Sequence, residues 1–159
     1  PVVQDMLYFT ANQEKEHAVI FYNFLKDVFK DENVSMMANY PIDINEDLAS
    51  LLDAAARHEY DEATSIYKQF GEEAKEEGYI EIATTFFMIS EIENYHHERF
   101  KRYHDLLTSG KLFKENNNIK WMCLNCGFIY EGNEAVTVCP VCKHPQGYSL
   151  RLNETQFHL

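Results

Sequence analysis

The chain has 159 residues, 45% hydrophobic and 25% charged, enough for one medium domain or two small ones, each with a core. Its 26 acidic residues against 14 basic ones give a formal net charge of -12, which repels a phosphate backbone, so nucleic acid is not an expected partner. No run approaches the roughly 18–20 apolar residues that span a bilayer, and Pro1-Val2-Val3-Gln4-Asp5 has no basic segment leading into an apolar one, so neither a membrane partner nor a secretory signal is expected.

The spacing predicts a first helix from about Val2 to Lys30, with Val3, Leu7, Thr10, Glu14, His17, Phe21, Phe24 and Val28 on one face. A break over residues 33–44, containing Pro41, is long enough to cross the end of a bundle. The second helix is expected from Glu46, with Asn45 as its N-cap, to Gly78. Its stripe is Leu48, Leu52, Ala55, Glu59, Glu62, Ile66 and Gln69. Gly78 turns the chain tightly into a third, antiparallel helix over 79–109, with Ile82, Phe86, Ile89, Glu93, His96, Phe100, Tyr103 and Leu107 on its stripe and Gly110 as the stop. Residues 1–110 thus read as a helical domain. The polar run Glu115-Asn116-Asn117-Asn118 marks 111–119 as a linker, and 120–159 form a second module of short runs and turn residues that holds every cysteine.

Each helical stripe carries ligand-type residues at i and i+3 near its middle: Glu14/His17, Glu59/Glu62 and Glu93/His96. Residues three apart are neighbours on a helix face, so each pair presents two donor groups at one height. A single such pair is usually a surface pair or a satisfied core group. Three in register with apolar stripes place four carboxylates and two imidazoles inside one bundle, where uncompensated carboxylates would take up protons. No Lys or Arg falls on the stripes, so two metal ions are the simplest source of positive charge; oxygen and imidazole donors suit iron or manganese. Tyr67, five residues after Glu62, is an ordinary half-buried tyrosine or a hydrogen-bonding neighbour of the site. His58 and His97 fall off the stripes but close to them.

Cys123-x-x-Cys126 and Cys139-x-x-Cys142, separated by twelve residues, can aim four thiolates at one ion. The pattern reads as a metal site rather than a disulfide framework, and with it a reducing, cytoplasmic compartment. The spacing alone leaves iron and zinc open.

Taken together, the three helical pairs in this order resemble the second, third and fourth helices of rubrerythrins. Trp121-x-Cys-x-x-Cys-Gly127-x-x-Tyr130 resembles rubredoxins, and Cys139-Pro140-Val141-Cys142-Lys143-His144-Pro145 resembles the C-terminal module of the rubrerythrin family. The resemblance covers essentially the whole chain. It implies a mainly α fold: a ferritin-like four-helix bundle, three helices of it from this chain, plus a small rubredoxin-like β domain. It implies two non-haem iron ions, with Glu14 and Glu93 bridging, Glu62 terminal on one iron, Glu59 and His96 on the other, and His17 an exchangeable ligand. Tyr67 matches a tyrosine beside that site. The four cysteines would hold one further iron, with zinc possible by substitution. The implied activity is reduction of hydrogen peroxide to water, with electrons passing through the four-cysteine iron from a rubredoxin or an NAD(P)H-dependent reductase. A head-to-tail, domain-swapped homodimer is implied as well. Nothing here corresponds to the family's first helix and its terminal glutamate, so a second polypeptide or a separated N-terminal piece is expected to supply them. The alternatives are a ferroxidase or iron-handling protein, and a metal-binding fragment inactive without that helix.

Overall fold

Helices with apolar stripes bury them only by packing against one another, and in the computed structural model this happens within Thr10–His104, one of two compact units; the other comprises Pro1–Phe9 and Asp105–Leu159. The structure describes all residues except 31, 36, 38–41, 43, 45 and 156–159, so the expectations placed on Pro41 and Asn45 lie outside the described residues. Among the described residues no helix is long and apolar enough to cross a membrane.

Helix α1 runs Val2–Phe29 and α2 runs Leu48–Asp61. Asp47 caps α2: one carboxylate oxygen accepts the Ser50 N–H at 2.9 Å and the other the Ser50 hydroxyl at 2.6 Å. A single π turn, Glu62–Ile66, then joins α2 to α3, Tyr67–Glu76. That turn holds one residue more than an α turn, and it rotates everything beyond it. The inward positions become Ala63, Tyr67 and Gly71, whereas Ile66 (40% exposed) and Gln69, expected to face the core, face out. A Cβ on Gly71 would sit 2.5 Å from the Phe87 ring, so α3 approaches α4 closely at this point. Helix α4 spans Ile80–Thr108. The tight connection before it is made by Gly78 at φ +89°, with Gly78 N–H donating to Lys75 O and Tyr79 N–H to Ala74 O.

Aromatic rings knit the helices together. Phe21 stacks on Phe86 with centroids 5.1 Å apart, and Tyr67 stacks on both Phe21 and Phe86. On the outer faces Tyr22, Val28, Met88 and Tyr95 are each more than half exposed.

The second unit is built on an antiparallel three-stranded sheet of order β2-β1-β3, with β1 Lys114–Cys123, β2 Ile129–Glu134 and β3 Ser149–Arg151. Trp121 of β1 lies opposite Tyr130 on one side and Arg151 on the other. Pairing jumps from Lys114↔Glu134 to Ile119↔Gly132, and the run Glu115-Asn116-Asn117-Asn118 fills the irregularity. The polar stretch expected as a linker therefore runs inside β1 from Lys114 onward. Arg151, 3% exposed, holds it there: its guanidinium donates to Glu115 at 2.7 Å and to the carbonyls of Lys111 and Leu112, and stands 5.0 Å over Trp121.

Candidate metal centres

Glu14, Glu59, Glu93 and His96 each direct a donor atom into one small region of the helical unit, all of these atoms within 4.8 Å of one another. His96 Nδ1 lies 2.6 Å from Glu14 Oε1, 2.8 Å from Glu93 Oε2 and 3.4 Å from Glu59 Oε2. Glu93 and His96 are fully buried. The alignment is nevertheless poor for hydrogen bonding. Glu14 Oε1, Glu59 Oε2, both Glu93 oxygens and His96 Nδ1 are buried with no hydrogen-bond partner among the described residues. Orphaned acceptors are costly unless something else meets them. Atoms that converge on a common point without facing one another have the arrangement of ligands around a cation.

His17 and Glu62 flank this set. The His17 ring stacks on His96 at 5.9 Å, and its Nδ1 reaches Glu14 at 3.1 Å and Glu93 at 3.0 Å. Glu62 is the first residue of the π turn, and the Tyr67 N–H caps that turn by donating to the Glu62 carbonyl. The wider turn thus sets Tyr67 over Glu62 five residues away. His97 bonds through Nδ1 to the Ala56 carbonyl at 2.6 Å and leans on Tyr60, which ties α4 to α2 beside the site.

The electrostatics point the same way. Burial and the neighbouring Glu59, Glu93 and Glu14 push the Glu62 carboxyl up to about 7, and burial raises Glu59 as well. Burial works against ionisation at Glu14 too, but the His17 and His96 imidazoles outweigh it and bring that group down to about 2. Contact with Glu14 and Glu93 lifts His17 to about 9; His96 rises to about 11 because three carboxylates overcome its desolvation. Burial and the same carboxylates keep Tyr67 protonated. The cluster is short of positive charge and recruits protons to make it up. Divalent cations would replace those protons, so the donor set fits a metal pair.

Two contributors lie off the expected stripes. Gln13, one residue before Glu14, bonds through Oε1 to His96 Nε2 at 3.2 Å, and Arg99 donates to the same oxygen at 2.9 Å and to Thr10 Oγ1 at 2.8 Å. Positive charge is thus present beside the site although no Lys or Arg falls on the stripes, and in these bonds it meets Gln13 and Thr10. The only sequence signal for Arg99 is its place three residues after His96, on the same side of α4.

In the other unit Cys123 and Cys142 sulfurs stand 3.6 Å apart and Cys126 and Cys139 sulfurs 3.7 Å apart, far beyond a disulfide. Four thiolates at about 2.3 Å from one ion have a tetrahedral edge of about 3.8 Å, close to these separations. The two C-x-x-C loops share one backbone design. Gly127 N–H donates to Cys123 O and Cys123 N–H to Phe128 O; Lys143 N–H donates to Cys139 O and Cys139 N–H to His144 O. The residue after each second cysteine takes a left-handed conformation, Gly127 at φ +75° and Lys143 at φ +64°. The His144 amide, helped by the neighbouring thiols, brings Cys142 down to about 5. At Cys126 the Phe128 amide acts the same way, but desolvation and the other three sulfurs carry that thiol up to about 12. Tyr130 closes the module, donating to Ser149 and accepting the Val136 N–H.

A helical unit with a carboxylate–imidazole centre, joined in one chain to a sheet unit with a four-thiolate centre, defines a non-haem metalloprotein with two unlike metal sites. The family model described as rubrerythrin matches residues 1–104, and that of the rubrerythrin rubredoxin-like domain matches 121–148. The rubrerythrin of Clostridium perfringens is 44% identical over 146 residues, spanning 92% of this chain and 75% of that protein; the rubrerythrin of Nitratidesulfovibrio vulgaris is 36% identical, spanning 92% and 74%. Among solved structures, nigerythrin in a mixed-valence state aligns with TM-score 0.46 and 20% identity over 82% of this chain and 60% of its own. The chain belongs to the rubrerythrin family, whose fold is ferritin-like with a rubredoxin-like domain and whose cofactors are a di-iron carboxylate site and a four-cysteine iron site.

Proposed function

We propose that the protein reduces hydrogen peroxide to water at the helical carboxylate–imidazole centre, with electrons arriving one at a time through the four-cysteine centre. The observation that carries this reading is the pairing, in one chain, of a buried multi-carboxylate donor set with a four-thiolate set. Peroxide needs two electrons and two protons to become two waters; a pair of non-haem irons supplies the two electrons and Lewis acidity when bound, and a four-thiolate iron carries single electrons.

The protein's own residues do the rest. Glu14, Glu59, Glu93 and His96 would hold the ions, with Glu62 and His17 beside them as further ligands. Tyr67 stays protonated and, packed against Phe21 and Phe86, can hold a proton at its hydroxyl while the rings exclude water. A homodimer, and a rubredoxin or NAD(P)H-dependent reductase as donor, belong to the same reading. So does a further helix bearing a glutamate; exposed Tyr22, Val28 and Tyr95 and the side chain of Glu14 (38% exposed) support such cover. The four free thiols support a reducing, cytoplasmic setting.

The test is anaerobic turnover. Iron-loaded protein with a reduced donor should consume many equivalents of hydrogen peroxide per chain, oxidising two electron equivalents of donor for each. Consumption that stops after one equivalent per site, with ferrous iron as the only reductant oxidised, would instead make it an iron-oxidising protein.

A further inference from the structure

The ring of His96 can face the carboxylate set with a lone pair or with a proton, and the difference decides whether it can hold a cation. The structure contains a device that makes the choice. Arg99 has only donors, so the Gln13 atom that it meets at 2.9 Å is the amide oxygen; the alternative amide orientation would set N–H against N–H. The guanidinium is itself anchored, donating to the hydroxyl of Thr10, which is 2% exposed. The Gln13 oxygen, with two lone pairs, also meets His96 Nε2 at 3.2 Å. Nε2 must therefore be the donor in that contact. A neutral ring with its hydrogen on Nε2 has a bare lone pair on Nδ1, the atom 2.6 to 3.4 Å from Glu14, Glu93 and Glu59. A neutral amide achieves this without adding another negative charge to a site crowded with carboxylates.

We propose that Arg99 and Gln13 are positioning residues: Arg99 fixes the Gln13 amide, and Gln13 fixes the tautomer of His96 that leaves Nδ1 free to ligate. The proposal rests on the reading of His96 as a metal ligand. Without Arg99 the amide is free to flip and offer its NH2 to Nε2, which favours the tautomer protonated at Nδ1, the one that cannot bind.

The experiment uses the full chain loaded with zinc, which is diamagnetic, with histidines labelled in nitrogen-15. The wild-type protein should show His96 with a protonated Nε2 and a metal-bound Nδ1. Gln13→Leu, which removes the acceptor, and Arg99→Met should each weaken zinc binding at this site about 10- to 100-fold in chelator competition. The four-cysteine site of the same molecule should keep its affinity and so report an intact chain. Gln13→Glu keeps an oxygen toward His96 whichever way it turns. It should preserve the Nε2-protonated ring, and in that background Arg99→Met should cost less than it does alone. Gln13→Leu or Arg99→Met with wild-type affinity and unchanged nitrogen shifts overturns the positioning role. Wild-type zinc binding that leaves the His96 nitrogens unshifted overturns the ligand reading beneath it instead. If Gln13→Leu does not fold, the Arg99→Met comparison in the two backgrounds decides alone.

Discussion

Titrating cations into the metal-free helical centre should expel protons, in a number set by the groups that the carboxylate cluster has charged. At pH 7 His96, raised to about 11, and His17, raised to about 9, each carry essentially one full proton, and Glu62, raised to about 7, carries about half of one. Glu59, also raised, adds to this, while Glu14, held at about 2, contributes none. Loading ferrous ions into protein whose four-cysteine site is already occupied should therefore release about 2.5 to 3.5 protons per chain at pH 7. The apparent affinity should rise steeply with pH, rise more gently above about 9, where His17 loses its proton, and level off only above about 11, where His96 does. A pH-stat titration in weak buffer under anaerobic conditions counts the protons directly. Stoichiometric uptake with no proton release, and an affinity indifferent to pH, would refute carboxylate–imidazole ligation at this centre.

Stability of the metal-free protein should fall as pH rises from 5 to 9. Glu62 binds its proton more tightly folded than unfolded, so its contribution declines between about 4.5 and 7, and that of His17 is intact below about 6.5 and lost as pH passes 9. Thermal melts across that range check the slope, and a rising Tm would contradict it. Trp121→Ala should cost about 3–5 kcal/mol in urea unfolding of the sheet unit, because the ring is fully buried, donates to the Gly132 carbonyl and carries the Arg151 guanidinium. A loss below 1 kcal/mol would mean that the sheet unit repacks freely. Deleting the exposed Thr64 should convert the π turn into an α turn while keeping Glu62 and Tyr67 on one face, so the protein should still fold and load metal. A deletion within α2, such as of Ala55, should abolish loading, since it turns the following ligands by about 100°.

Much of the fold was legible because a helix that buries one face must repeat its apolar residues at 3.6, and the stripe through Ile89 and Phe100 does so along α4. The cysteine pairs were equally readable, since a C-x-x-C loop needs only local backbone geometry to aim two thiolates. Other features depend on contacts between segments distant in the chain. The π turn leaves a plausible stripe running through Ile66 and Gln69, and only packing against α4 selects the face of Tyr67 and Gly71. The run Glu115-Asn116-Asn117-Asn118 has the composition of a linker, and it becomes part of a strand because β2 and the buried Arg151 lie alongside it. Arg99 looks like a solvated residue until α1 brings Thr10 and Gln13 within hydrogen-bonding distance. Residue type and spacing thus determined which groups this protein can offer a metal, because both are local properties of a helix or a loop. Tertiary structure alone decided the protonation pattern, the tautomer and the inward register, because each depends on what a second, distant segment places against the first.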